Sequence, residues 1–64
     1  MNEKALHQFM INTEQARELL ATIQAELDDH MNLSPEAVHW GHVGDSKHVL
    51  ESLRDIARFM GHED

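Results

Sequence analysis

Cysteine is absent from the 64 residues, tyrosine is absent too, and proline occurs once and glycine three times. Without cysteine the chain has no disulfide and no thiolate metal site, two of the usual staples of a protein this short. The same absence fits a reducing compartment. Basic residues are few: five Lys and Arg stand against twelve Asp and Glu, for a formal net charge of −7. Lys4, Arg17, Lys47, Arg54 and Arg58 are scattered along the chain. Nothing therefore clusters to release counterions from a nucleic-acid backbone, and direct DNA or RNA binding is not expected. Long apolar runs are missing as well. None approaches the roughly 18 residues of a membrane-crossing helix, and the start "MNEKALHQF" has no basic stretch leading into an apolar block. The expectation is an untargeted cytoplasmic protein that does not enter a membrane.

A single domain of this length hides only about 60% of the surface its unfolded chain exposes. Ordering all 64 residues, at about 1.5 kcal/mol each, must be offset by roughly 3,800 Å² of apolar burial at about 25 cal/mol per Å². One pair of helices falls short of that area. A metal or a second subunit remains as the missing support.

What the chain does have is periodicity. Leu6, Phe9, Thr13, Ala16, Leu20, Ile23, Leu27 and His30 follow one another in alternating steps of three and four, the seam of a helix that packs lengthwise on others. Met10, Leu19 and Met31 widen the stripe, and no glycine or proline interrupts it. The spacing predicts one long helix over about 3–31, roughly 40 Å in length. The run "NTEQ", Asn12 to Gln15, has the form of a capping box and offers a later start. The apolar steps stay in phase across Asn12, which favours continuity.

Ser34 before Pro35 predicts a helical turn. Gly41 and Gly44 argue against a long helix through that region, which gives a knuckle over about 35–44. Asp45 then reads as the N-cap of a second helix over about 46–60, with Gly61 closing it. Val49, Leu53, Ile56 and Met60 keep the same spacing. The expected fold is all-α: a long helix, a short helical knuckle and a shorter antiparallel helix forming a helical hairpin. The long helix outreaches the short one by nearly half, so the simplest cover for its stripe is a second copy, giving a homodimeric four-helix bundle. Leu6, Phe9, Leu20, Ile23, Leu27, Trp40, Val49, Leu53, Ile56 and Met60 are the expected core and interface residues.

Chemistry concentrates in "AVHWGHVGDSKHVL", residues 37 to 50, which holds the only tryptophan and half of the six histidines. His39, His42, His48 and Asp45, joined by His30 from "DDH" at the end of the long helix, are candidate ligands for zinc or nickel. The spacing matches no established motif: there is no His-Glu-x-x-His and no Glu-x-x-His. The competing reading makes Trp40 the plug of the bundle end, with histidines as half-polar neighbours and Asp45 as a cap. That reading is favoured. No catalytic grouping emerges, since Asp45 and Ser46 are neighbours in sequence only. The functional expectation is a small acidic module for oligomerisation or for binding a helix of another protein. A histidine and carboxylate metal-binding module is one alternative, and an acidic mimic docking on a basic partner is another.

Overall fold

The computed structural model describes residues 2–62. The protein is all-α: two principal helices joined by short turns, with no strand among the described residues. It divides into two compact units, residues 1–33 and 34–64, and each is best understood on its own.

The first unit is built on α1, Glu3–Asp28, 26 residues long. Its start is set by Asn2, whose side-chain oxygen accepts the Ala5 N–H at 3.0 Å, satisfying one of the donors a helix start leaves open. The helix runs unbroken through Asn12–Gln15. Asn12 caps nothing; its side-chain oxygen accepts from Gln8 one turn earlier at 2.8 Å. Thr13 and Thr22 return their hydroxyls to the carbonyls of Met10 and Glu18, so each presents mainly its methyl outward.

α1 ends at Asp28, three residues before the expected Met31. The last turn carries no basic residue, and the carboxylates of Asp28 and Asp29 stand at the negative end of the helix dipole, which disfavours further turns. The chain instead enters a 3-10 turn, His30–Asn32, with three successive positive φ values of 52, 57 and 63°. Left-handed backbone costs roughly 1–2 kcal/mol per residue unless glycine or asparagine supplies it. Only Asn32 is suited to the task, and its amide donates to Glu26 Oε2 at 3.3 Å.

The second unit begins with Ser34 and the 3-10 turn Pro35–Ala37. Ser34 occupies the cap position by its backbone, since its carbonyl accepts the Ala37 N–H at 3.0 Å, while its side chain makes no capping bond. α2 follows as Trp40–Phe59, 20 residues. This differs from the expected start after Asp45. The helix passes straight through Gly41 and Gly44, Asp45 lies in its second turn, and the N-cap is His39. Two interior glycines disfavour helix by about 1 kcal/mol each relative to alanine, and the histidine cap described below offsets part of that. At the other end, Gly61 at φ 91° lets its own N–H reach the Arg58 carbonyl at 2.9 Å and the His62 N–H reach the Ala57 carbonyl at 2.8 Å. This is the paired bonding of a Schellman motif.

No described residue is buried. Of the expected core, Ile23, Val49 and Leu53 are half-buried, whereas Leu6, Phe9, Leu20, Leu27, Trp40, Ile56 and Met60 are exposed. Trp40 is 86% exposed, so within one chain it plugs nothing.

Candidate functional site

Two features stand out: the histidine pair that opens α2, and the apolar stripes of both helices. The pair is assembled by backbone geometry. His39 is extended, φ −135° and ψ 178°, which turns its ring back over the first helical turn. Its Nδ1 accepts the Gly41 N–H at 3.0 Å. His42, one turn further on, returns the bond: its Nδ1 accepts the His39 N–H at 3.3 Å. The two rings stack, with centroids 3.8 Å apart and planes 27° from parallel. The arrangement is a capping box made of two imidazoles, where serine or threonine and glutamate are the usual pair.

Gly41 makes the fit possible. A Cβ at that position would lie 2.8 Å from His39 Cε1 and 3.0 Å from its Nδ1, while one at Gly44 would meet nothing within 4 Å. The first glycine accommodates the cap, and the second has no such neighbour.

This geometry bears on the candidate metal ligands. Both Nδ1 lone pairs of His39 and His42 are occupied by backbone N–H groups, which leaves Nε2 as the free ring nitrogen of each. An ion sits in the plane of each ligating ring at about 2.0–2.1 Å from nitrogen. Stacked rings 3.8 Å apart and tilted by 27° have planes that do not meet within that reach, so as arranged the two histidines do not share one ion. Asp45 and His48 lie further along α2, and His30 lies in the first unit. Among the described residues no three His, Asp or Glu side chains gather where they would hold a metal. Ser46 directs its hydroxyl to the Val43 carbonyl at 2.8 Å.

Histidine is missing from the usual list of N-cap residues, which is why the pair was not legible as a cap. One signal was present all the same: His39 and His42 have the i, i+3 spacing of a capping box.

The stripes are simpler. On α1, Leu6, Phe9, Leu20 and Leu27 share the a and d positions of the seam and are exposed, with Met10 and Leu19 beside them. On α2, Val43, Leu50 and Ile56 are exposed, and Phe59 is 91% exposed. Two shallow hollows lie along α1, one lined by His7, Met10, Ile11, Glu14 and Gln15, the other by Gln15, Glu18, Leu19 and Thr22. They are furrows between successive side chains of one helix. No helix among the described residues is long and apolar enough to cross a membrane. No family model, curated protein or solved structure matches the chain.

Proposed function

We propose that the protein is a self-associating helical module, in which a second copy covers the apolar stripes and the helices of both copies share one core. The observation that carries this reading is that no described residue of a single chain is buried although large apolar side chains line both helices. Contiguous exposed apolar surface of this kind marks interaction sites in soluble proteins.

The stripe itself favours a helical partner. Its three-and-four spacing is the pattern of knobs that seat in the holes of another helix, and Thr13 interrupts it with a hydroxyl already bonded to the Met10 carbonyl. Such a threonine brings no unsatisfied polar atom into a seam.

Sedimentation equilibrium of the untagged chain over a wide dilution series tests the proposal, with Leu20→Asp as the comparison. The expected result is a dimer whose helicity falls as it dissociates, and a variant shifted to monomer. A wild-type monomer with full helicity and a cooperative melt at every concentration sinks self-association. A monomer that is partly unfolded when alone moves the reading to a groove for another protein's helix.

A further inference from the structure

We propose that the first turn of α2 is a pH-operated latch, held closed by two neutral imidazoles and opened when either takes up a proton. The inference stands apart from self-association, because every group it uses lies within residues 39–43 of one chain.

Three features act in the same direction. His39 Nδ1 accepts from Gly41 N–H and His42 Nδ1 accepts from His39 N–H. An imidazole nitrogen accepts only while it is unprotonated, so both bonds require neutral rings carrying their proton on Nε2. Protonation places an N–H on Nδ1, facing a backbone N–H, and the bond is lost. The rings are also stacked with centroids 3.8 Å apart, a separation at which two cations repel. Finally, both rings stand at the N-terminal end of α2, where the helix dipole opposes positive charge.

The sign follows from proton counting. The closed latch binds fewer protons than the open one, so acid favours opening. The cap is present while both rings are neutral and is lost when acid protonates either one. Glu36, Asp45 and Lys47 are the charged residues nearest in sequence. No hydrogen bond or ion pair ties any of them to either ring among the described residues. Within residues 34–64 no other element packs against the pair. Opening releases Trp40 and Val43 from the first turn while Schellman bonding still holds the far end of the helix. A conventional serine or asparagine cap has no such dependence, and this is the chemical difference that histidine introduces at this position.

The test uses the full chain, labelled with 15N and 13C. Long-range 1H–15N spectra near pH 7.5 read the ring tautomers, and a titration to about pH 5 follows the Cα shifts of residues 41–44, with residues 53–58 as the reference within the same helix. The comparison is His39→Asn combined with His42→Gln, which keeps acceptors at both box positions but does not titrate in this range. His39→Ser combined with His42→Gln, a conventional non-titrating box, serves if the first double variant fails to fold. The expected result is an Nε2–H tautomer for both rings, loss of about half or more of the helical shift over residues 41–44 in the wild type, little change over 53–58, and no loss in the variant. A wild-type first turn that keeps its shift at low pH overturns the proposal. So does an equal loss in the variant, a loss spread evenly over the helix, or an Nδ1–H tautomer at neutral pH.

Discussion

Adding one methyl group at Gly41 and one at Gly44 should change the stability of α2 by different amounts. Both glycines are interior to the helix, and replacing such a glycine with alanine gains about 1 kcal/mol by propensity alone. At Gly44 nothing lies within 4 Å of the new Cβ, so Gly44→Ala should realise that gain nearly in full. At Gly41 the new Cβ would lie 2.8 Å from His39 Cε1, and the ring must swing away. The swing breaks the bond from Gly41 N–H to His39 Nδ1, the loss of an N-cap, which costs about 0.5–2 kcal/mol. Gly41→Ala should therefore come out near neutral or destabilising. The separation between the two variants is the cap loss itself, about 0.5–2 kcal/mol, read at roughly 4–8 °C of melting temperature per kcal/mol for a domain of this size. Thermal melts followed by circular dichroism read the separation, with all chains at the same concentration because any association adds to apparent stability. Equal stabilisation by the two substitutions would refute the reasoning, for it would mean that the His39 ring is not seated over the first turn.

Asp45→Ala should change unfolding free energy by no more than about 0.5 kcal/mol, since Asp45 lies inside the helix, whereas His39→Ala should cost about 1 kcal/mol; urea titration of the two variants separates them, and a larger loss at Asp45 would restore it as the cap. Met31→Gly should stabilise the chain by up to about 1 kcal/mol, because Met31 sits at φ 57° and glycine adopts that conformation without a Cβ penalty. The same urea titration checks it, and a loss of stability would count against a left-handed turn there.

Much of the architecture was legible because two strong local signals agree with it. The seam from Leu6 to Leu27 contains no breaker, so its phase predicted a single helix across Asn12, and Gly61 marked a helix end that only positive φ can make. The errors fall where weak terms compete. Gly41 and Gly44 read as breakers because propensity was weighed without a cap strong enough to offset it, and the cap was hidden in a residue type whose ring nitrogen is rarely counted as an acceptor. The long helix was extended to Met31 on the strength of its apolar step, while two adjacent carboxylates at the negative end of the dipole ended it at Asp28. Burial was not legible in this sense at all: spacing identifies which side chains share a face, and says nothing about what covers that face.

The exposure of Trp40 gives the molecule an optical property. It is the only tryptophan, the chain has no tyrosine, and it occupies the first helical position directly after His39. Indole emission therefore arises from one place, and shifts to shorter wavelength when that place dries. Burial of the start of α2 against another surface would thus change the colour of that emission. The unmodified chain carries its own gauge of contact at that end, readable without a label.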